Sequence, residues 1–278
     1  MGYIESLKQR TRELFGLFGL SICNKSSFEK LLASHENSLR FNILSRLLSA
    51  CDDPKKKLRL IEALGKSKAQ LYQDIVALFL LEFKSNGFFV EFGATNGVDI
   101  SNTYLLEKSY NWKGILAEPA KIWHNDLYAN RSSFIDTRCV STKSNEVVTL
   151  KETNNPEFSS TGGQSRSPLL EDTKFTQRYQ VETVSLTDLL AKYSAPKVVD
   201  FLSLDTEGSE LDILRALDFE RFKFQFIACE HNFQKSQHEI KNLLSQKGYI
   251  NILSSESAWD GWFVHQDLTD AGNLNSFI

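Results

Sequence analysis

Two acidic residues, each at the end of an apolar run, stand at a spacing that suits a nucleoside-bearing ligand. Glu91 lies in F-F-V-E-F-G-A-T-N-G, a strand-like run that leads into a loop with Gly93 and Gly97. Glu118 ends the next such run, I-L-A-E-P, 21 positions after Gly97. Small loop residues, including Ala94, let a ligand approach the backbone, and a carboxylate after the second strand can accept both ribose hydroxyls. The pattern predicts a cofactor site built from these residues.

The charge of Glu91 distinguishes between two nucleoside cofactors. A dinucleotide site requires G-x-G-x-x-G, whose glycines let the backbone approach a pyrophosphate. Thr95 and Val98 occupy the second and third glycine positions here. Glu91 would repel a pyrophosphate, whereas it would attract the cationic amino group of a methionine moiety. The residues therefore favour S-adenosylmethionine, and an NAD-dependent sugar-modifying enzyme is the weaker alternative.

A second group of acidic residues follows two later strand-like runs. V-V-D-F-L-S-L is followed by Asp205 and then Glu207, and F-I-A-C is followed by Glu230 and His231. Because the carboxyl ends of parallel strands meet at one edge of a sheet, we expect these side chains to share a pocket. One use of the pocket is a divalent metal, Mg²⁺ or Mn²⁺, held by Asp205, Glu230 and His231. The other is catalysis by Asp205, Glu207 or His231, which would remove a proton from an attacking hydroxyl.

The elements that position these residues alternate between strands and helices from Phe88 onward. Several strands are continuous apolar runs, as expected for a parallel sheet covered on both faces. The predicted strands are 88–92, 114–118, 133–140, 198–204, 224–230 and 249–253, and the helical patterns lie near 102–109, 120–129, 185–193, 209–217 and 236–247. Two shorter pieces, 146–151 and 180–184, are predicted to form an excursion from the core. Trp259–His265 is predicted to pair antiparallel at the sheet edge, and Glu210 to cap the helix in which it stands.

The first part of the chain shows only helical periodicity, which divides the protein into a helical N-terminal extension, 1–84, and an α/β domain, 85–278. Asp53-Pro54 predicts a helix start, with Pro at the first helical position. An apolar stripe from Ile4 to Phe18 has two interpretations, which are contact with a membrane surface and packing in an oligomer.

Charge and hydropathy limit the partners. The net charge of −3 divides into +5 for residues 1–86 and −8 for the remainder. The acidic portion argues against nucleic acid, because phosphate contacts supply most of that affinity. No apolar run reaches the roughly 18 residues of a membrane span, and the N-terminus lacks the order of a signal peptide. We expect a cytoplasmic protein, with peripheral contact to the inner face of the membrane as an alternative.

The chain resembles FkbM-type methyltransferases over about residues 85–265. The matching motifs are F-V-E-F-G-A-T-N-G, S-N-T-Y-L-L-E-K, W-K-G-I-L-A-E-P, V-S-L-T-D-L-L, D-F-L-S-L-D-T-E-G-S-E and E-H-N. The resemblance implies a Rossmann-like α/β fold with a seven-stranded, mostly parallel sheet. It also implies S-adenosylmethionine-dependent O-methylation of a sugar hydroxyl in a surface glycan or related glycoconjugate. A non-catalytic binding or scaffold protein that kept the fold is the alternative from another class.

The same resemblance assigns roles to individual residues. Asp205 and Glu207 match the motif that lies beside the transferred methyl group. Together with the small residue Ala94, the positions expected to contact the cofactor are Glu91, Gly93, Asn96, Gly97, Asn102, Thr103 and Glu118. The polar loop 153–168 has no counterpart in the family pattern, so substrate choice is expected to reside there and in the N-terminal extension.

Overall fold

The computed structural model of the chain describes residues 25–153, 175–206, 208–233, 236–269 and Phe277. Three sequence-based predictions fall outside these residues: the stripe from Ile4 to Phe18, the loop 153–168 apart from its first residue, and Glu207.

Helices and strands alternate through the α/β part of the chain. The helices are α1 Lys25–Ser49, α2 Pro54–Leu64, α3 Gln73–Leu80, α4 Tyr104–Tyr110, α5 Lys121–Asn130, α6 Leu186–Lys192, α7 Glu210–Ala216, α8 Ser236–Gln246 and α9 Gln266–Thr269. The strands are β1 Phe88–Phe92, β2 Lys113–Ala117, β3 Phe134–Asp136, β4 Cys139–Ser141, β5 Val147–Thr153, β6 Phe175–Ser185, β7 Val198–Leu204, β8 Lys223–Glu230, β9 Tyr249–Ile252 and β10 Asp260–His265. From Phe88 onward the predicted core elements lie within two residues of these bounds, except for the strand at 133–140.

The main sheet has seven strands in the order β3-β2-β1-β7-β8-β10-β9. All neighbouring pairs are parallel except those of β10, which runs antiparallel to both β8 and β9. The register sets Glu91 of β1 beside Ser203 of β7. Gly93 and Asp205, two residues further along each strand, therefore meet at the carboxyl edge of the sheet. The predicted mostly parallel, Rossmann-like sheet is confirmed.

Two strand predictions were wrong in detail. The run 259–265 forms β10 in the interior of the sheet rather than at its edge, because all six of its residues are buried and need a neighbour on each side. The run 133–140 forms two strands, β3 and β4. Asp136 accepts hydrogen bonds from the backbone and guanidinium of Arg138, which turns the chain, and β4 joins a separate three-stranded sheet in the order β4-β6-β5. The excursion from the core is thus the antiparallel pair of β5 and β6, together with β4, which pairs with β6.

The helices cover both faces of the main sheet. Buried residues of α1 to α5 share one hydrophobic cluster with alternate sheet residues such as Phe89 and Phe201. Buried residues of α6, α7 and α8 share another cluster with the intervening sheet residues, such as Val90 and Leu202. The helices before residue 84 therefore pack on the same core as the sheet. Within the described ranges, no helix is both long and apolar enough to cross a membrane.

The start of α2 follows from its sequence. Asp53 accepts a hydrogen bond from the backbone N–H of Lys55 at 2.9 Å, and Pro54 occupies the first helical position, where its missing N–H costs nothing. The predicted helix start at Asp53-Pro54 is confirmed.

Candidate active site

The loop between β1 and α4, residues 93–103 and here called the cofactor loop, depends on two glycines. Gly93 has φ +70° and Gly97 has φ +79°, a backbone conformation that side chains disfavour. A Cβ atom on Gly93 would lie 2.7 Å from the backbone oxygen of Asp205, and one on Gly97 would lie 2.6 Å from Arg131. Gly93 is exposed and the adjacent Ala94 is buried. The loop therefore offers bare backbone at the carboxyl edge of the sheet.

Glu118 connects the end of β2 to the cofactor loop. Its carboxylate accepts hydrogen bonds from the backbone N–H of Thr95 at 2.9 Å and from that of Ala120 at 2.8 Å. Burial, reinforced by the charge of Glu152, raises the pKa of Glu118 to about 7. A buried carboxylate in this position orders the loop and carries further acceptor capacity.

Glu91 is buried, and three groups at the end of the cofactor loop donate hydrogen bonds to its carboxylate. Its donors are the Ser101 hydroxyl at 3.0 Å, the Asn102 backbone N–H at 2.6 Å and the Thr103 hydroxyl at 2.5 Å. The predicted contact residues Glu91, Asn102 and Thr103 are thus brought together. In this arrangement Glu91 holds the end of the cofactor loop against β1.

Two asparagines in the loop have different environments. The side-chain oxygen of Asn96 accepts from the backbone N–H groups of Val98 and Asp99, each at 2.9 Å, which stabilises the turn. Asn102 donates to the Ser203 hydroxyl at 2.9 Å. Among the described residues, nothing bonds to the buried Oδ1 of Asn102. A buried acceptor without a donor is costly, so this atom marks a position where a ligand can supply one.

Asp205, Glu210 and Glu230 form an acidic cluster in which one carboxylate oxygen of each lies within 4.8 Å of the others. Burial, followed by the charges of Glu210 and Asp260, raises the pKa of Asp205 well above its usual range. The side chain of Glu230 also interacts with that of Asp205, and this interaction opposes part of the rise in the Asp205 pKa. Glu210 also accepts from the backbone N–H groups of Thr206 and Gly208, so it stabilises the turn before its helix and does not cap the helix as predicted.

The group of close carboxylates in the structure differs by one residue from the predicted metal set of Asp205, Glu230 and His231. Glu210, rather than His231, completes the group of three close ligands within the described part of the chain. His231 is buried, and its Nδ1 accepts from the backbone N–H of Phe233 at 3.1 Å. Burial lowers the pKa of His231 to about 4. The imidazole is therefore neutral at neutral pH, and its Nδ1 is already used.

Sequence reasoning missed two residues of this region. Asp260, at the start of β10, lies opposite Glu230 and accepts from the Gln73 side chain of α3 at 2.8 Å. Arg131, which follows α5, has a fully buried side chain that donates to the cofactor loop. Neither stands at the end of a parallel strand, where the sequence pattern predicts site residues. Only the contacts in the folded chain reveal them.

Comparison with known proteins agrees with the geometry. The family model for the methyltransferase FkbM domain matches residues 91–250, more than half of the chain. No curated protein matched the sequence.

Three solved structures show a distant likeness. Precorrin-6y C5,15-methyltransferase from Geobacter metallireducens GS-15 is 12% identical with a TM-score of 0.38, over 69% of this chain and 85% of that chain. Methyltransferase FkbM from Methylobacillus flagellatus KT is 13% identical with a TM-score of 0.38, over 81% of this chain and 58% of that one. The CurJ carbon methyltransferase is 9% identical with a TM-score of 0.37, over 93% and 78%.

The match to the family model begins at Glu91, runs through the cofactor loop, Glu118 and the acidic cluster, and ends in β9. On the strength of that match, the chain belongs to the FkbM methyltransferase family.

Proposed function

We propose that this methyltransferase uses S-adenosylmethionine to methylate a hydroxyl oxygen of a sugar in a glycan or related glycoconjugate. One observation carries the proposal: Asp205, a carboxylate with a raised pKa, adjoins Gly93 at the start of the cofactor loop. A proton acceptor thus lies next to the place where the methyl donor is expected. The sugar as acceptor is supported by the resemblance to the FkbM-type enzymes.

The residues present fit S-adenosylmethionine. Glu118 uses two acceptor positions for backbone N–H groups, and a carboxylate has about four, which leaves capacity for ribose hydroxyls. The exposed Gly93 lets a ligand approach the loop backbone. The unpartnered Oδ1 of Asn102 suits an N–H or O–H donor of the ligand.

The residues of the chain supply acid–base chemistry. When bound, S-adenosylmethionine supplies a methyl group activated by its sulfonium. A carboxylate oxygen of Asp205 takes the proton that the acceptor hydroxyl loses, and the raised pKa makes Asp205 a stronger base than an exposed carboxylate. His231 is less suited to this role, because burial disfavours its charged form.

Calorimetry with S-adenosylhomocysteine tests the cofactor assignment. We expect one site per chain, with weakened binding in the Glu118→Ala variant. Folded wild-type protein that does not bind this ligand would exclude the assignment.

Mass spectrometry of host glycans tests the acceptor. Each methyl group adds about 14 Da to a glycan. We expect this increment of about 14 Da to be absent from a host that lacks the protein, and Asp205→Asn should not restore it. Glycans identical with and without the protein would rule out the sugar as acceptor. Full restoration by Asp205→Asn would remove Asp205 from the chemistry.

Metal assistance is the finer part of the proposal. The acidic cluster has oxygen ligands of the kind that Mg²⁺ or Mn²⁺ prefers, and a metal there would lower the pKa of a bound hydroxyl. Methyl transfer that survives exhaustive chelation would exclude this part and leave proton transfer to Asp205 alone.

A further inference from the structure

Arg131 is a buried cation that donates hydrogen bonds to the cofactor loop and to α4. Its side chain has no exposed surface. The Nη1 group donates to the Gly97 carbonyl oxygen and to the Ser101 hydroxyl, each at 3.1 Å. The Nη2 group donates to the Thr103 hydroxyl at 2.8 Å, and Nε donates to Glu107 of α4 at 3.0 Å. One guanidinium therefore ties the middle and the second end of the cofactor loop to α4 and to the end of α5.

The guanidinium of Arg131 faces two buried carboxylates. The Glu91 carboxylate lies 3.6 Å from Nη1, and the Glu107 carboxylate lies 3.0 Å from Nε. Removing one partner of a buried ion pair leaves an uncompensated charge, which is strongly destabilising. Ser101 and Thr103 contact both Arg131 and Glu91, so the hydroxyls bridge the two charges.

The loop that Arg131 holds is the one that Glu118 contacts from the other side. Glu118 accepts from Thr95, two residues before Gly97, whose carbonyl oxygen bonds to Arg131. The conformation of the loop backbone thus depends on both anchors. A change at either anchor alters the loop as a whole.

We propose that Arg131 is a positioning residue that holds the cofactor loop in its binding conformation, with Glu91 as its charge partner. Glu91 then acts through the loop and not by touching the amino group of the methionine moiety. This inference rests on the proposed use of S-adenosylmethionine.

The two roles for Glu91 predict different ligand dependence. When a substitution lowers the fraction of molecules with a competent loop, the affinity of every ligand that needs the loop falls by the same factor. When a direct contact to the amino group is lost, only a ligand that carries that group is weakened. S-adenosylhomocysteine carries it, and 5′-methylthioadenosine is a related nucleoside thioether without it.

Calorimetry with both ligands tests the proposal on wild-type protein and on Arg131→Lys, Glu91→Gln and Asp200→Asn. We expect Arg131→Lys and Glu91→Gln to lower the affinities for both ligands by the same factor. The factor is about tenfold if one molecule in ten keeps the loop in its binding conformation. Asp200 is the matched control, because it bonds to Lys84 and to the Phe88 backbone, away from the cofactor loop. Asp200→Asn should lower the melting temperature and leave both affinities unchanged.

Three results would overturn the proposal. A loss confined to S-adenosylhomocysteine in Glu91→Gln would make Glu91 a direct ligand. Unchanged affinities in folded Arg131→Lys would make Arg131 merely structural. If Arg131→Lys does not fold, Ser101→Ala takes its place, because it removes one bridging hydroxyl and no charge. The proposal is then overturned if the Ser101→Ala affinities for the two ligands do not fall by the same factor. Wild-type protein that binds neither ligand would instead overturn the proposed function.

Discussion

The backbone oxygen of Asp205 lies 2.7 Å from the point that a Cβ atom on Gly93 would occupy. The contact joins the ends of two neighbouring parallel strands, β1 and β7. It brings the cofactor loop and the acidic cluster to the same place, so the proposed substrate and cofactor sites share a border. A side chain at position 93 cannot be accommodated there without moving the backbone of Asp205, directly after β7.

Gly93→Ala tests this close approach. We expect the variant to lose about 2 kcal/mol of stability or more, because alanine is strained at positive φ and its Cβ meets backbone. We also expect it to lose S-adenosylhomocysteine binding. Gly65→Ala is the matched control, since a Cβ there meets nothing within 4 Å. Urea denaturation and calorimetry measure both effects, and a Gly93→Ala protein that binds normally would contradict the role of the contact.

The affinity for S-adenosylhomocysteine is expected to rise with pH through the titration of Glu118. Its pKa is raised to about 7 by burial, and ribose hydroxyls donate better to the ionised form. Glu118→Gln should bind more weakly and lose this pH dependence. Glu152→Gln should shift the rise to lower pH, because the Glu152 charge raises the pKa of Glu118. Calorimetry between pH 6 and 8, about one unit on either side of the Glu118 pKa, measures this rise in affinity. A rise that moves to higher pH in Glu152→Gln would argue against Glu118 as the residue that titrates.

Asp205→Asn is expected to stabilise the fold at alkaline pH while it abolishes methyl transfer. Asp205 has a raised pKa in the folded chain, so folding opposes its ionisation and wild-type stability falls as pH rises above the ordinary carboxyl range. The stability gain of the variant should therefore be small at about pH 4, near the ordinary pKa of an aspartate, and larger at about pH 8, above the raised pKa of Asp205. Asp212→Asn, at an exposed position of α7, is the control for urea denaturation. An equal gain at both pH values would show that Asp205 carries no such penalty.

Glu107→Gln tests the second charge partner of Arg131. Burial opposes ionisation of Glu107, but the Arg131 charge and hydrogen bonds from Ser133 and Ser132 outweigh it and lower the pKa to about 2. Ionised Glu107 thus contributes stability that is present above its ordinary pKa of 4.5 and is lost as pH falls toward 2.

We expect Glu107→Gln to cost about 3 kcal/mol at pH 7, by the linkage between pKa and stability. The difference between variant and wild type should shrink on acidification in urea denaturation. A difference that does not depend on pH would contradict the ion pair as its source.

Much of the fold and part of the site follow from local patterns. The apolar runs ending at Glu91, Glu118 and Asp205 identify buried parallel strands, because such strands are covered on both faces and their carboxyl ends carry ligands. The glycines of the cofactor loop mark the close backbone approach. These features depend on residues near one another in the chain, so a linear pattern reveals them.

Tertiary structure alone decided which groups the buried charges face. Buried Glu91 faces Arg131, 40 positions later, and the half-buried Glu230 lies close to Asp205 and Glu210. The interior position of β10 was likewise decided by strand pairing. The physical reason is that periodicity shows which side chains are buried, whereas the partner of a buried charge is the group that packing brings within hydrogen-bond distance. The sequence by itself determined a parallel α/β sheet with a cofactor loop; the folded chain determined what holds that loop in place.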